Sequence, residues 1–534
     1  MDADLAALQE VRDRLGEARS ARIALESATQ EEADRWARAI AEAGRREAGR
    51  LARMAVEESG FGVVAGKTMK NIFATEFTWE RIKDMKTAGV LHRDEEKGVV
   101  EIAHPAGLVA AVIPITNPTS TALFKCLIAI KARCSIVVSP HPRGIKCIGE
   151  SCRIAYEAAR RAGAPEGCIR WLETPTLEST NELMRHRWTS VILATGGPGL
   201  VKAAYSSGKP AIGVGSGNVP AYIHPSADVV RAARAITLGQ VFDNGTICSS
   251  EQSVVCDRSL SGRMLDEFRR RGAHIANADE IKKLEKLVLR GKRQNADIVG
   301  QFPRVIARMA GFSVPENTTV IICPYAGVGW DRPLSIEKLS PILAFYEVDG
   351  EREGHALCRE LLEFGGMGHT ASIHTEDMSA AERYATAMPA MRITCNSPST
   401  QGGIGYTTNL FPSMTLGCGT PGGNAFSDNI GPQHLINRKR LALVNDAMLD
   451  QDEALERQYR EQTGEPLLPW SAGRAGGGHA PALPRGGYSS AGHRPSAPAP
   501  RHASPAPSGG ANFPGAGSLT PADIEAIISR SKRS

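Results

Sequence analysis

From about residue 106 to about residue 408, short apolar runs of strand length alternate with helix-length segments. That rhythm constrains the chain more than any other feature, because strand–helix alternation is the signature of parallel α/β sheets. Residues 108–114, 135–139, 169–172, 190–194 and 221–224 read as strands of a first region, with helices over 119–132 and 144–162. A second alternating region runs from about 251 to 408. Residues 99–104 and 107–113 read as the two arms of a hairpin around Pro105. Upstream, residues 5–58 are rich in Ala, Arg, Glu and Leu and nearly free of Gly and Pro, which predicts two or three amphipathic helices.

The bulk properties narrow the function. A chain of 534 residues, 42% hydrophobic, is long enough for two or three domains with full cores. The net charge of +5 comes from intermixed signs, so no basic stripe points to nucleic acid. Eleven cysteines show no paired spacing, and Cys147 with Cys152 does not fit a zinc knuckle. Free thiols in a reducing compartment, with no metal site, are expected. Met1-Asp2-Ala3-Asp4 is acidic with no apolar core behind it, and no run approaches the ~20 apolar residues of a membrane span. A cytoplasmic protein with no membrane partner is expected.

The composition breaks after residue 470. Residues 471–518 are dominated by Gly, Pro, Ala and Ser and read as a disordered linker. Residues 519–534 then read as a short amphipathic helix. Thr520 is its N-cap, Pro521 its first residue, and Ile524, Ile527 and Ile528 its apolar stripe. A capped helix on a long tether is suited to docking in a groove elsewhere.

Four segments carry the chemistry. Cys248 lies in the small polar run Phe242-Asp243-Asn244-Gly245-Thr246-Ile247-Cys248-Ser249-Ser250, behind a helix-like stretch. A thiolate nucleophile needs such partial exposure and nearby donors. Thr195-Gly196-Gly197-Pro198-Gly199 follows a buried-strand run and precedes a helix, where backbone N–H groups can meet a pyrophosphate. Gly213-Val214-Gly215-Ser216-Gly217-Asn218 suggests backbone packed on a flat ligand. In Ile113-Pro114-Ile115-Thr116-Asn117-Pro118, an asparagine framed by prolines is placed to donate to an oxyanion. Each also has a plain reading as an ordinary turn.

Together these segments resemble the aldehyde dehydrogenase superfamily, and within it the CoA-acylating aldehyde dehydrogenases. The resemblance spans roughly residues 5–450 and is carried by 113–118, 139–142, 194–205, 213–220, 242–250, 337–341, 368–370, 398–409 and 415–419. It implies a Rossmann-type cofactor domain plus an α/β catalytic domain. The expected boundaries are 1–240 for the cofactor domain and 241–410 for the catalytic domain. Residues 411–470 would return to the cofactor domain, and the 98–113 hairpin would serve oligomerisation. By this likeness Cys248 attacks an aldehyde, and Asn117 with the Cys248 N–H holds the oxyanion. His369 would act as a base for a thiol. NAD, or NADP, would be held by Thr195, Gly196, Gly197, Gly213, Gly215, Ser139, Pro140 and Glu337, the last in a Glu-x-Leu-x-Pro variant of the usual Glu-x-Phe-x-Pro.

The departures from the family pattern are informative. Hydrolytic members carry a glutamate in a Glu-Leu-Gly-Gly run, where this chain has Gly213-Val214-Gly215-Ser216. Without that base, water should cleave a Cys248 thioester slowly, and CoA is the expected acceptor. Ser139-Pro140-His141-Pro142 likewise lacks the lysine and glutamate of the hydrolytic Lys-Pro-Ser-Glu turn. The expected substrate is a short aldehyde, acetaldehyde or propionaldehyde, and the expected assembly is a homodimer or homotetramer. Residues 519–534 resemble an encapsulation peptide, implying a shell-protein partner and a place inside a bacterial microcompartment. A hydrolytic aldehyde dehydrogenase giving a free acid and a non-catalytic shell-binding scaffold are the alternatives.

Overall fold

The computed structural model describes residues 3–467. The linker and terminal helix expected over 471–534 lie outside them. The described residues group into a large unit, 3–91 with 101–439, and a small one, 92–100 with 440–467. In chain order the strands are β1 (Val90–Asp94), β2 (Val99–Pro105), β3 (Leu108–Val112), β4 (Ser135–Ser139), β5 (Ile169–Trp171), β6 (Val191–Thr195), β7 (Ala211–Val214) and β8 (Val219–Ile223). There follow β9 (Glu251–Asp257), β10 (His274–Ile275), β11 (Leu289–Arg290), β12 (Arg293–Gln294), β13 (Ile321–Pro324), β14 (Ile342–Val348), β15 (Gly368–His374), β16 (Ala390–Cys395) and β17 (Ile436–Ala442).

Five parallel strands form one sheet in the order β5-β4-β3-β6-β7. Its period-2 alternation buries both faces. Val109, Ala111 and Ile113 pack with Leu123, Leu127 and Ile130 of the helix Pro118–Lys131. Leu108, Ala110 and Val112 pack with Val11 and Leu15 of the helix Ala3–Ser27 and with Leu183 of Leu177–Arg185. Helices on both faces make this a doubly wound sheet. Seven more parallel strands run β10-β13-β14-β9-β8-β15-β16, also sandwiched between helices. The α/β class with Rossmann-like parallel sheets therefore stands. The N-terminal stretch forms three helices, Ala3–Ser27, Gln30–Arg46 and Ala48–Ser59.

Two details correct the sequence reading. β2 and β3 are not arms of one hairpin. Both edges of β3 are taken by β4 and β6, so β2 joins a small sheet with β1 and β17 instead. The actual reversal is the turn between β1 and β2, where Gly98 adopts φ 61° and the Lys97 N–H donates to Asp94 Oδ1 at 3.0 Å. Residues 219–223, grouped above with the first alternating region, pair with β9 and β15 in the seven-stranded sheet.

In the small unit, Leu443 N–H donates to the Gly98 carbonyl at 2.8 Å, and the helix Asp446–Thr463 buries none of its residues. No helix among the described residues is long and apolar enough to cross a membrane.

The strand order places the site. β3 lies at the centre of its sheet; the chain winds outward to β4 and β5, then returns to β6 and β7. Ligand crevices in such sheets open at the carboxyl ends on either side of that switch, here between β3 and β6. Asn117 follows β3, and Thr195 ends β6. The four residues 215–218 then carry the chain from the carboxyl end of β7 to the amino end of β8. At this crossing the carboxyl end of β7 meets the amino end of β8.

Candidate active site

The loop before Cys248 is built under strain. The helix Val229–Val241 ends at Phe242, and Asp243 and Asn244 both hold left-handed backbone, φ 50° and 51°. Each such residue costs on the order of 1–3 kcal/mol, so its surroundings must hold it. Asp243 Oδ1 accepts the Val63 N–H at 2.7 Å. Asp243 Oδ2 receives Lys67 Nζ at 3.1 Å, Lys70 Nζ at 2.5 Å and Thr246 Oγ1 at 2.7 Å. Asn244 Nδ2 donates to the Gly300 carbonyl at 2.9 Å. Gly62 and Gly66 press on Asp243 so closely that a Cβ on either would collide with it, at 2.0 and 2.6 Å. Cys248 emerges from this loop just ahead of β9. Nine of the eleven cysteines are buried, whereas Cys248 and Cys395 are partly accessible.

Gly217 is where the elements converge. Its N–H donates to Glu337 Oε1 at 2.8 Å. A Cβ at this position would lie 2.0 Å from the Cys248 carbonyl oxygen and 3.0 Å from His369 Nδ1. The crossing from β7 to β8 therefore touches the nucleophile loop, the loop before β14 and the start of β15 at one residue without a side chain. Asn218 locks it, donating from Nδ2 to the carbonyls of Ser335 (2.8 Å) and Leu361 (2.9 Å). His369 is the second residue of β15 and fully buried. Its Nδ1 lies 2.9 Å from Thr370 Oγ1, and its Nε2 has no protein partner. His374, at the far end of the same strand, is likewise buried with both ring nitrogens unpartnered.

Asn117 occupies the N-cap of the helix Pro118–Lys131, but its side chain does not cap it. A capping asparagine ordinarily spends its carbonyl oxygen on the first-turn N–H groups. Here Oδ1 accepts from Lys70 Nζ at 2.7 Å, and Nδ2 lies 3.2 Å from Thr116 Oγ1. The amide oxygen is thereby taken from helix capping and held by Lys70, which fixes the NH2 on the opposite side.

At the switch point, Thr195 Oγ1 accepts from Lys125 Nζ at 3.0 Å. Lys125 also donates to the Val112 and Leu193 carbonyls at 2.9 and 2.8 Å, bridging the ends of β3 and β6. Gly196 packs on Leu200, while Gly197 and Gly199 leave open space where a Cβ would project. Gly215 is equally open. The Gly197 and Gly199 N–H groups at the start of the helix Pro198–Tyr205 are therefore approachable by a phosphate. Gly213 is the opposite case. Its N–H and carbonyl both bond Tyr205 Oη, Asn424 Nδ2 donates to the same carbonyl, and a Cβ would meet Val201 at 2.8 Å. Pro140 is buried beside Ser139, whose hydroxyl is 2.8 Å from Thr180 Oγ1 and so engaged within the protein.

The electrostatics follow from this packing. Burial, with the Glu337 carboxylate and the Cys418 thiol nearby, pushes the Cys248 thiol up to about 12, opposed by Arg392 and its own backbone N–H. Burial raises Glu337 to about 7, against the Gly217 hydrogen bond. Burial and the adjacent Arg392 hold His369 well below the usual histidine range, so the ring is neutral. Arg392 is itself buried, donating from Nη2 to the His369 carbonyl at 2.8 Å. Lys70 is drawn down to about 8 by burial, which Asp243 opposes.

Asn117, Cys248, Glu337 and His369 thus belong to one network of contacts, with Thr195, Gly196 and Gly197 at the switch point and Gly215 just after β7. Sequence reasoning missed Lys70, Asp243, Gly217, Lys125 and Arg392. Two of them carried a local signal: Gly217 as the third of three alternating glycines, and Asp243 within the polar run 242–250. Among the described residues, no group of three His, Cys, Asp or Glu side chains could hold a metal ion.

Comparison with known proteins agrees with this architecture. Residues 2–298 match the model of the aldehyde dehydrogenase family. The bifunctional aldehyde-alcohol dehydrogenase AdhE of Escherichia coli (strain K12) is 45% identical over 428 residues, 79% of this chain and 48% of that protein. The chain thus spans about half the length of that relative. An acetylating aldehyde dehydrogenase from Geobacillus thermoglucosidasius superposes with a TM-score of 0.82 at 52% identity, covering 83% of this chain and 98% of its own. A propionaldehyde dehydrogenase from the fucose utilisation bacterial microcompartment of Clostridium phytofermentans gives 0.74 at 27% identity, over 81% and 97%. The chain belongs to the aldehyde dehydrogenase family.

Proposed function

We propose that this chain is a CoA-acylating, NAD-dependent aldehyde dehydrogenase, converting a short aldehyde such as acetaldehyde or propionaldehyde to its acyl-CoA. The observation that carries the reading is the pairing of Cys248 and Asn117 in one contact network with a carboxylate-free, tightly filled Gly213. The Cys248 thiol gives up its proton to solvent and its sulfur adds to the aldehyde carbonyl, giving a thiohemiacetal whose oxyanion accepts from Asn117 Nδ2 and the Cys248 N–H. The open positions Gly197, Gly199 and Gly215 and the Glu337 carboxylate fit a dinucleotide's phosphates and ribose hydroxyls. When bound, NAD, or NADP, would accept the hydride and leave a thioester on Cys248. Neutral His369, with Nε2 unpartnered, can take the proton of an incoming thiol. Water lacks an equivalent base at residue 213, so CoA is the acceptor.

The test is NADH formation from short aldehydes with and without CoA, in the wild-type and Cys248→Ala chains. Formation that depends on both CoA and Cys248 is expected. Full-rate formation without CoA would indicate a hydrolytic enzyme instead. The same reading extends to assembly as a homodimer or homotetramer, supported by exposed Leu441, Leu443 and Val444. Sedimentation of a monomer would exclude it. It extends also to residence in a bacterial microcompartment through residues 519–534, supported by the microcompartment neighbour. Unchanged co-purification with shells after deleting those residues would exclude that.

A further inference from the structure

We propose that Lys70 is a positioning residue of the active site, fixing the Asn117 amide in its donor orientation and lending positive charge to the anion at Cys248. The inference rests on the roles proposed for Cys248 and Asn117.

Lys67 and Lys70 lie one turn apart on the helix Val64–Ile72, on the same face, and both are buried. A buried ammonium is costly unless paired and hydrogen-bonded. Asp243 supplies the pairing for both. Lys67 completes its shell with the Thr116 carbonyl at 2.9 Å. Lys70 spends its remaining capacity on Asn117 Oδ1 at 2.7 Å and Thr246 Oγ1 at 3.0 Å. An ammonium can only donate, so the Asn117 atom facing Lys70 must be oxygen. The amide NH2 is then turned away from Lys70. A cation on the amide oxygen also polarises the N–H bonds, strengthening them as donors to an oxyanion.

The charge has a second use. Lys70 contacts Asp243 and, two residues before Cys248, Thr246, so its charge sits on the loop that carries the nucleophile. Of the other groups acting on Cys248, Glu337 and Cys418 oppose its ionisation, while Arg392 favours it. Lys70 thus adds a second cation on the nucleophile's side. A purely structural role would call for Asp243 and Lys67 alone, and would not need the bond to Asn117.

The test uses Lys70→Met and Lys70→Gln. The glutamine can still donate to Asn117 Oδ1 but has no charge, and it carries the test if the methionine chain fails to fold. Alkylation by iodoacetamide, followed at the Cys248 peptide across pH, needs neither aldehyde nor cofactor. Removal of the charge should slow alkylation about tenfold at neutral pH, equivalent to a rise of about one unit in the thiol's midpoint. Asn117→Ala should leave that midpoint in place. In CoA-dependent turnover, the losses from Lys70→Met and Asn117→Ala should be strongly non-additive in kcat/KM, since one acts through the other. An unmoved alkylation midpoint in folded Lys70→Gln, or additive losses, would overturn the proposal. Absence of CoA-dependent turnover in the wild-type chain would instead sink the proposed function, with the alkylation profile still reporting on Lys70.

Discussion

Gly217→Ala is the most economical challenge to the site as described. The added methyl would sit 2.0 Å from the Cys248 carbonyl oxygen. Carbon and carbonyl oxygen rest at about 3.3 Å even in close contact, so the deficit is about 1.3 Å. Because the obstructing atom is backbone, no rotamer change relieves it. Either the Cys248 loop retreats or residue 217 withdraws and loses its bond to Glu337. Overpacking of this kind costs roughly 1–3 kcal/mol. A displacement near 1 Å at the nucleophile can cost about a hundredfold in turnover. We expect a melting temperature lowered by a few degrees and CoA-dependent NADH formation reduced about a hundredfold. Gly262→Ala is the matched control. It lies within the helix Arg258–Arg270 with nothing within 4 Å of the new methyl, and should stabilise by up to about 1 kcal/mol. If Gly217→Ala melted with the wild type and turned over within about twofold of it, the convergence at residue 217 would be without consequence and the reasoning wrong.

Glu337→Gln removes the carboxylate that helps raise the Cys248 thiol, so iodoacetamide should alkylate Cys248 about threefold faster at neutral pH, a shift of about half a unit. Slower alkylation would contradict that sign. Burial lowers Lys125 to about 7, so the folded chain releases this proton earlier than the unfolded chain. Stability relative to Lys125→Met should therefore rise from about pH 7 toward the unfolded value near 10.5, as chemical denaturation across pH would show. Gly213→Glu should lower the melting temperature without adding CoA-independent NADH formation, since Val201 and Tyr205 already fill the space. A gain of hydrolytic rate would show that the missing carboxylate alone decides the acceptor.

The strands were legible because burial on both faces leaves apolar runs such as 191–194, which no loop would carry. The pairing of those strands was less so. Nothing within residues 99–113 says that β4 and β6 will occupy the edges of β3; that is decided by segments many residues downstream. The same division holds in the site. Cys248 and Asn117 stand in short polar frames that a reader of sequence can isolate. Lys70 stands in Val64-Ala65-Gly66-Lys67-Thr68-Met69-Lys70, where nothing local marks a buried charge. Its burial is created by Asp243, 173 residues away. Glu337 was visible by motif, but its partner Gly217 lies 120 residues upstream. Local chemistry is written locally, whereas the groups that hold it in place are supplied by the fold.

The crossing at 215–218 also bears on how such a chain can change its length. Surface loops lengthen at little thermodynamic cost, each doubling adding about 0.6 kcal/mol. The crossing has no such latitude. One inserted residue would slide β8 by a single step, exchanging Ala221 and Ile223, which face one core, with Tyr222, which faces the other. Insertion scanning should therefore find this stretch intolerant. Recombination between relatives could trade either sheet as a cassette only where the crossing keeps its residue count.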